Sequence, residues 1–223
     1  IETEKLKKMS LAHRSDLLRT QLLIKYGGVW ADPTCFFTQP LDNWLPQHMD
    51  AGLFYFHRPG RDRIISNWFI AAEPQHPLLI TLYKELCNYW NSHNFRNLGR
   101  KEKSKTEYWF NRVINRNLDL PRIWFTPIMT ILFKLYPYMV YHYKVYDLIQ
   151  NDEECAEIYS KMNKYSSDIP HKMKRFGLLK PLTNEAKQWV DDERAPIYKL
   201  TWKLNSTKIP EGSVLDYLLR SQA

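Results

Sequence analysis

The stretch from Ser10 to Leu41 constrains the fold more than any other part of this sequence, because it reads as a helix, a sharp stop and two short strands. Leucines and polar residues recur every three or four positions over residues 11–25, which predicts an α-helix. Gly27 and Gly28 end that helix, since glycine adopts the left-handed conformation at little cost. Short strands are predicted at residues 29–31 and 35–37.

Three charged side chains in this stretch suggest a functional cleft. Asp16 and Arg19 are three residues apart, so they share one face of the predicted helix. Asp32 follows the first short strand, and Pro33 fixes the backbone directly after it. A polar pair on a helix face and a carboxylate at a strand end can converge on one cleft. The simpler alternatives are a surface ion pair and an aspartate that opens a turn.

The combined spacing S-D-x-x-R, G-G-V-W-x-D-x-T and P-L resembles that of sugar-transferring glycosyltransferases of the DxD type. The resemblance is closest to the capsular polysaccharide synthesis family. It implies a GT-A-like α/β fold, with a mixed sheet flanked by helices and a mainly helical C-terminal half. In that family a nucleotide-binding segment precedes this point, so the resemblance also implies that this segment is missing or partial here.

The rest of the chain predicts one catalytic domain over residues 1–223, with an α/β part at 1–100 and a mainly helical part at 101–223 whose C-terminal segment returns to the cleft. A basic loop is predicted at residues 57–63, and the sequence does not decide the secondary structure of the tyrosine-rich stretch 136–146. Further predictions are strands at 51–56 and 67–72, a polar connector at 96–105, and helices at 78–91, 106–118, 128–135, 152–163, 184–190 and 214–219.

The resemblance assigns the donor sugar to the first helix. Asp16 and Arg19 would be catalytic residues that bind the sugar hydroxyls, and Arg19 would also reach the phosphate. A carboxylate accepts bonds from two adjacent hydroxyls, and a guanidinium donates a planar fork. Ser15 and Trp30 are further donor-binding candidates, although Ser15 can bond within its helix and Trp30 can pack in the core. Asn67 is added because an asparagine in the pattern N-W-F-I-A-A lies near the donor sugar in the family.

Asp32 is the third catalytic candidate and the expected ligand of Mn²⁺ or Mg²⁺, which would bridge the phosphates of the donor. Thr34 stands where the two-carboxylate form of the motif has a second aspartate, so a metal site built on Asp32 and Thr34 lacks one anionic ligand. The metal is then weaker, partly ligated by water, or replaced by basic side chains. The K-L-T-W-K string supplies Lys199, Trp202 and Lys203 as donor-binding candidates, against the alternative of a half-exposed strand.

A net charge of +8 and a pI near 9.3 imply an anionic partner or a well-solvated surface. A nucleotide diphosphate, anionic lipid headgroups and a phosphorylated acceptor explain this charge equally well. One basic cluster contains Arg58, Arg61 and Arg63. No basic arm, zinc spacing or RNA-binding aromatic motif accompanies the clusters, so a nucleic-acid partner is not expected.

The cysteines predict a reducing compartment, because Cys35, Cys87 and Cys155 are odd in number and far apart. No apolar run approaches the roughly 20 residues that span a bilayer, and the sequence begins with no signal-peptide pattern. We therefore expect a cytoplasmic protein. Peripheral contact with the inner face of the membrane is suggested by the lipid-linked acceptors common in such pathways.

The resemblance thus implies a metal-assisted glycosyltransferase of polysaccharide synthesis. It would move a sugar from a nucleotide-diphosphate sugar, with a UDP-sugar as the expected donor, to a glycan or lipid-linked acceptor. No residue presents itself as a general base, which agrees with the retaining mechanism attributed to the family. Two alternatives stay open: a nucleotide-sugar or glycan binding module that has lost turnover, and a basic nucleic-acid-binding domain.

Overall fold

The computed structural model describes residues 1–100, 104–204 and 208–221. The helices are α1 (Thr3–Lys8), α2 (Leu11–Tyr26), α3 (Pro77–Ser92), α4 (Lys105–Ile114), α5 (Val140–Asn151), α6 (Glu153–Lys161), α7 (Lys172–Phe176), α8 (Asn184–Asp191) and α9 (Val214–Arg220). The strands are β1 (Gly28–Ala31), β2 (Cys35–Phe37), β3 (Leu53–Gly60), β4 (Arg63–Ala72) and β5 (Ile197–Lys199). Short 3₁₀ turns lie at Leu41–Asn43, Pro46–His48 and Leu120–Phe125, and a π-helical turn lies at Ile128–Leu132.

The chain divides into two compact units. The first unit contains Ile1–Trp30 and Met49–Lys164, and the second contains Ala31–His48 and Tyr165–Ala223. Residues 31–48, which begin with the last residue of β1, therefore group with the C-terminal part of the chain. The prediction of a single domain over residues 1–223 stays a prediction.

The first unit is built on a three-stranded sheet in the order β1-β4-β3. Strands β3 and β4 pair antiparallel, from Leu53 opposite Ala72 to Gly60 opposite Arg63. Residues 53–56 of β3 are at most 1% exposed, because an uninterrupted apolar and aromatic run is covered on both faces. The core around this sheet includes apolar residues of α2, α3 and α5.

The predicted basic loop at residues 57–63 was wrong, because β3 continues to Gly60 and β4 already begins at Arg63. Only residues 61 and 62 form the turn of this hairpin. The pairing shifts register between His57 and Gly60, which marks a β-bulge or irregularity. The basic side chains therefore project from strand ends, where their backbone is held by the sheet.

Each segment predicted as a helix contains a helix or a helical turn in the structure, although some of the limits differ from the predicted ones. Helix α4 ends at Ile114, because Asn115 leaves the helical conformation and a 3₁₀ turn that contains Pro121 follows. The segment predicted as a helix at 128–135 is a π-helical turn that ends at Leu132. The tyrosine-rich stretch becomes α5, which is buried on most sides and therefore lacks an amphipathic pattern. Residues 101–103 of the predicted connector lie outside the described residues.

The second unit contains a two-stranded antiparallel sheet, in which Cys35 pairs with Lys199 and Phe37 pairs with Ile197. Helices α7, α8 and α9 pack around a core that includes Met173, Tyr198 and Leu218, each fully buried. The α/β class is therefore confirmed. The sheets are small, and the GT-A-like arrangement implied by the resemblance stays a prediction.

Within the described ranges, every helix is too short or too polar to span a lipid bilayer.

Candidate functional site

Helix α2 carries the polar pair that the sequence singled out, and it ends at Gly27 as predicted. The Ser10 hydroxyl accepts a hydrogen bond from the backbone N–H of His13 and so caps the first turn. Asp16 and Arg19 face inward and are 8% and 6% exposed. This burial shows that the pair is not an ordinary surface ion pair, the simpler alternative left open by the sequence.

The first unit brings together five predicted site residues, which we call the Asp16 network: Ser15, Asp16, Arg19, Trp30 and Asn67. The Asn67 side-chain amide donates to Asp16 Oδ1 at 2.7 Å, and the Arg19 guanidinium donates to the Asn67 backbone carbonyl. Arg19 also donates to the Ser15 hydroxyl at 2.9 Å, and its Nε lies 3.7 Å from Asp16 Oδ1. The guanidinium carbon is 4.9 Å from the centre of the Trp30 ring. Helix α2, β1 and β4 are thereby linked through one buried polar cluster.

Asn67 differs in one respect from its prediction, which placed it at the start of a strand. Strand β4 begins four residues earlier, at Arg63, so Asn67 lies in the interior of the strand. Its side chain and its backbone carbonyl contact different members of the pair on α2. Because a central strand moves little, this position holds both charges of the pair in a fixed arrangement.

Sequence reasoning missed the polar groups close to this network. The Thr20 hydroxyl donates to the Asp16 backbone carbonyl at 2.6 Å. The hydroxyls of Tyr55 and Tyr141 lie 2.9 Å apart, and burial raises the pKa of Tyr141 to about 12. The charges of Arg19 and Asp16 also act on that pKa, which places the tyrosine pair near the network. The apolar run of β3 hid Tyr55, and the irregular tyrosine-rich stretch hid Tyr141.

The turn from α2 to β1 depends on Gly27. Its φ is +64°, and a Cβ atom there would lie 2.7 Å from Pro74 Cδ and 2.8 Å from the Pro74 backbone nitrogen. The Gln75 backbone N–H donates to the Ile24 carbonyl at 2.8 Å, which ties the end of α2 to the segment after β4. The close approach at Gly27 therefore sets the direction in which the chain continues toward Trp30.

The second unit brings together three further candidates, which we call the Lys199 trio: Asp32, Thr34 and Lys199. The Lys199 ammonium donates to Asp32 Oδ2 at 3.0 Å and to the Thr34 hydroxyl. The β2–β5 ladder places Lys199 opposite Cys35, and the Leu200 N–H donates to the Thr34 carbonyl at 2.8 Å. The trio is half-buried, since the Asp32 side chain keeps 29% of its surface exposed.

The surroundings of the Lys199 trio are basic. Burial lowers the pKa values of His171 and Lys174, and the charge of Lys199 lowers both further. The pKa of the Cys35 thiol is raised to about 11 by burial; Lys199 acts against this rise and Asp32 adds to it. The K-M-K-R sequence at residues 172–175 was the available signal for this basic environment, which suits an anionic ligand.

The residues of the trio do not fit a divalent metal in their present arrangement. Asp32 supplies one carboxylate and Thr34 one hydroxyl, and the Lys199 ammonium donates to Asp32 Oδ2 and to the Thr34 hydroxyl. No group of three His, Cys, Asp or Glu side chains that could hold a metal occurs among the described residues. The metal and the alternative of a basic side chain in its place both stay predictions, and Lys199 is the basic side chain that lies beside Asp32.

Trp202 and Lys203 are not part of the trio. The Trp202 side chain is 79% exposed, and the Lys203 ammonium lies 5.2 Å from the centre of its ring. The K-L-T-W-K string therefore splits, with Lys199 on the strand beside Asp32 and the other two residues on the surface after it. Their role in donor binding stays a prediction.

Comparison with known proteins extends over the N-terminal part of the chain. Residues 1–97 match a family described as capsular polysaccharide synthesis protein. This chain is similar to glycosyltransferases of that family. The region matched contains the whole Asp16 network together with Asp32 and Thr34, so the resemblance based on the motifs is confirmed.

Part of the chain is also similar to a curated protein. The yeast protein named "Putative glycosyltransferase HOC1", from Saccharomyces cerevisiae, is 30% identical over 84 residues, which covers 31% of this chain and 21% of the yeast protein. The chain thus spans about a fifth of the length of that relative. No solved structure gives a significant match.

Proposed function

We propose that this chain is a glycosyltransferase that moves a sugar from a nucleotide-diphosphate sugar, a UDP-sugar in the first instance, to a glycan or a lipid-linked acceptor in polysaccharide synthesis. The observation that carries the proposal is the Asp16 network. Its SDxxR motif and its asparagine partner lie within the residues that match the capsular family, and they form one hydrogen-bonded cluster.

The sugar-binding role is assigned to the Asp16 network. Ser15, Trp30 and Asn67 are half-buried, whereas Asp16 and Arg19 are nearly inaccessible. We therefore assign contact with sugar hydroxyls first to the half-buried members, and assign the buried pair to holding them in place. Such positioning contributes to catalysis because it fixes the reacting groups before the reaction begins.

The diphosphate-binding role is assigned to the Lys199 trio. As the bond between the sugar and the diphosphate breaks, negative charge develops on the departing oxygen, and a nearby cation stabilises it. Lys199 supplies such a cation, and Asp32 orients its ammonium through the 3.0 Å contact. The acceptor oxygen forms the new bond to the sugar as the bond to the diphosphate breaks, and the acceptor proton passes to the departing diphosphate oxygen or to water. Retention of configuration remains part of the proposal, since it is implied by the resemblance.

The resemblance implies Mn²⁺ or Mg²⁺, so a metal-dependent reaction competes with the proposal that Lys199 stabilises the departing diphosphate. In the present arrangement the Lys199 ammonium contacts Asp32 Oδ2 and the Thr34 hydroxyl, so no step is derived through the ion. Activity that persists in EDTA supports the lysine version. Activity that requires the ion shows that Lys199 leaves Asp32 when the donor binds.

A binding module without turnover is the second candidate function. Its support is the Lys199 trio itself, where threonine stands in place of a second carboxylate and the remaining carboxylate is engaged by an ammonium. This module would bind a nucleotide sugar or a glycan without releasing the nucleotide. The two functions differ in one measurable quantity, the release of nucleotide from the donor.

The reaction is placed in the cytoplasm, with contact at the inner face of the membrane as an additional proposal. Its support is the net charge of +8, which favours anionic lipid surfaces, and the lipid-linked acceptors implied by the resemblance.

The deciding experiment incubates the purified chain with a panel of nucleotide sugars in Mn²⁺, Mg²⁺ or EDTA and measures nucleotide release. The enzyme proposal expects release from one donor, reduced roughly a hundredfold or more in Asp32→Ala. The matched control is Asp42→Ala, which removes an exposed carboxylate from the same unit and should retain activity.

Tryptophan fluorescence measures donor binding. A donor that binds without release of its nucleotide would identify the binding module. If the chain neither binds any donor nor releases nucleotide from one, both functions are contradicted. Equal loss of activity in Asp32→Ala and Asp42→Ala would remove the role assigned to the trio.

A further inference from the structure

A basic cleft lies at the end of the β3–β4 hairpin in the first unit, and the proposed function makes no use of it. Its volume is about 510 Å³. One wall comes from Arg58 and Arg61 of the hairpin, and the other from Arg116, Asn117 and Asp119 of the segment after α4. We call these five residues the arginine cleft.

The cleft carries more positive charge than its own carboxylate can balance. Arg58, Arg61 and Arg116 are exposed, and in the part of the chain that the structure describes none of them forms an ion pair with a carboxylate. Asp119 is engaged elsewhere, since its Oδ1 accepts a hydrogen bond from the Tyr146 hydroxyl at 2.8 Å. Three guanidinium groups therefore face one cavity beside a single carboxylate.

The backbone on both sides holds these arginines in place. Arg58 has a φ of +57°, which is rare for a residue with a side chain, and it lies where the β3–β4 pairing shifts register. Bulges of this kind redirect a side chain and often lie next to functional sites. On the other wall, Arg116 Nε donates to the Arg112 carbonyl at 3.2 Å. Arg58 therefore extends from strand backbone, and the Arg116 side chain is held against the end of α4.

We propose that the arginine cleft binds the phosphate or diphosphate group of a ligand. A guanidinium donates a planar pair of N–H groups that matches phosphate oxygens, and three of them around one cavity favour a group with several negative charges. The cavity falls in the size range of sites for organic ligands, so the phosphate has room to carry an attached organic part. A soluble phosphate ester and the headgroup of a phosphorylated lipid both supply this chemistry.

The cleft is separate from the Asp16 network within the same unit. Asn67 lies five residues beyond Asp62 of the hairpin turn, and a strand rises about 3.3 Å per residue, so the two lie roughly 15 Å apart along β4. The inference does not rest on the proposed function, because phosphate binding is measured without any sugar donor.

The test is calorimetric titration of the full chain with sodium pyrophosphate at about 0.1 M ionic strength, where surface charges are screened beyond roughly 10 Å. We expect binding that weakens roughly tenfold or more in the double variant Arg61→Gln/Arg116→Gln. The matched control is Lys105→Gln/Arg112→Gln, which removes the same charge from exposed positions on α4 and should bind within about twofold of the parent. Thermal unfolding of each variant establishes that it is folded.

A second arm distinguishes the two sources of phosphate. Sedimentation with phosphatidylcholine vesicles that contain phosphatidic acid, compared with phosphatidylcholine alone, measures binding to a lipid headgroup. Cleft-dependent binding to these vesicles assigns the site to lipid, and cleft-dependent binding to pyrophosphate alone assigns it to a soluble phosphate. The proposal is overturned if neither ligand binds, or if the control variant loses as much affinity as the cleft variant.

Discussion

The Asp16 network and the Lys199 trio each contain an acid–base pair that the sequence motifs single out, but the two pairs lie at different depths. The side chains of Arg19 and Asp16 are 7% and 12% exposed, whereas those of Lys199 and Asp32 are 14% and 29% exposed. The buried pair is held by Ser15 and Asn67. The half-buried pair joins two short strands of a small sheet.

This difference separates residues that support the fold from residues that solvent and a ligand can reach. Removing one partner of a buried pair leaves an uncompensated charge, which costs several kcal/mol. A pair that water reaches loses far less, because the solvent stabilises the remaining charge. We therefore expect variants of the Asp16 network to lose stability and activity together, and variants of the Lys199 trio to lose activity alone.

The largest expected effect is that of Asp16→Ala. This change leaves the Arg19 guanidinium buried beside an empty position and removes the acceptor of the Asn67 amide. We expect the free energy of unfolding to fall by about 3 kcal/mol, measured by urea denaturation.

The control variants for Asp16→Ala are Asp32→Ala and Asp168→Ala. Asp168 forms an exposed ion pair with Arg175. Each should cost about 1 kcal/mol or less. If Asp16→Ala costs no more than these two, the contrast between the buried and the half-buried pair is wrong.

The next largest loss of stability is expected from a backbone change in the first unit, at Gly27. Gly27→Ala places a Cβ against backbone atoms of Pro74 and Ala72 and forces a side chain into a positive φ, so we expect a loss of about 2 kcal/mol in urea denaturation. Gly28→Ala is the control, because its φ is also positive but no atom lies within 4 Å of the new Cβ. Gly28→Ala should cost about 1 kcal/mol. Equal losses would show that only φ matters, and not the close approach of Pro74.

The local order of this chain was predictable where a single short-range signal sets it. The cap at Ser10, the glycine stop at Gly27 and the strand limits at Cys35–Phe37 all follow from residues within a few positions of each other. The same holds for the family, since the motif residues lie close together in the sequence. The hairpin at residues 57–63 was missed because pairing with a distant strand outweighed the loop-like composition of H-R-P-G-R-D-R.

The contacts within the site were predictable only in part. The sequence named Asp16, Arg19 and Asn67, but not that Asn67 holds both charges, because side-chain contacts across 51 residues leave no local pattern. The partnership of Asp32 with Lys199, 167 residues apart, was likewise visible only as two separate candidates. The tyrosine pair near the network gave no signal either, because Tyr55 lies in the apolar run of β3 and Tyr141 lies on α5, which is buried on most sides.

A smaller effect tests how strongly burial governs the first unit. Burial lowers the pKa of His142 well below 6.5, with Arg63 and Arg19 acting in the same direction, and its Nδ1 has no hydrogen-bond partner among the described residues. The unfolded chain therefore binds a proton below pH 6.5 that the folded chain does not. Stability attributable to His142 is present above pH 6.5 and falls as the pH decreases, by at most about 1.4 kcal/mol per pH unit.

His142→Leu tests this directly, since it removes the titrating group and fills a similar volume. Urea denaturation between about pH 6.5 and pH 5 measures the free energy of unfolding. It should fall less steeply with decreasing pH in the variant than in the parent, and the difference in slope is at most that of one bound proton, about 1.4 kcal/mol per pH unit. Parallel pH profiles would mean that His142 protonates in the folded state, which contradicts the deep burial of this region.

The smallest effect reports on the charges of the Lys199 trio through its neighbour Cys35. Burial raises the pKa of the Cys35 thiol to about 11, the Lys199 charge lowers it and the Asp32 charge raises it. The thiol should therefore stay protonated at pH 9 in the folded protein, and the pH dependence of its alkylation, followed by mass spectrometry, should have its midpoint near 11.

Lys199→Met should move the midpoint to higher pH, and Asp32→Asn should move it to lower pH. The two shifts have opposite signs only if both charges lie near the thiol. Lys199 is opposite Cys35 in the β2–β5 register, and the Cys35 backbone N–H donates to the Asp32 carbonyl at 3.0 Å. Shifts of the same sign would place one of these charges away from Cys35, and the trio would then be too loosely held to orient a diphosphate.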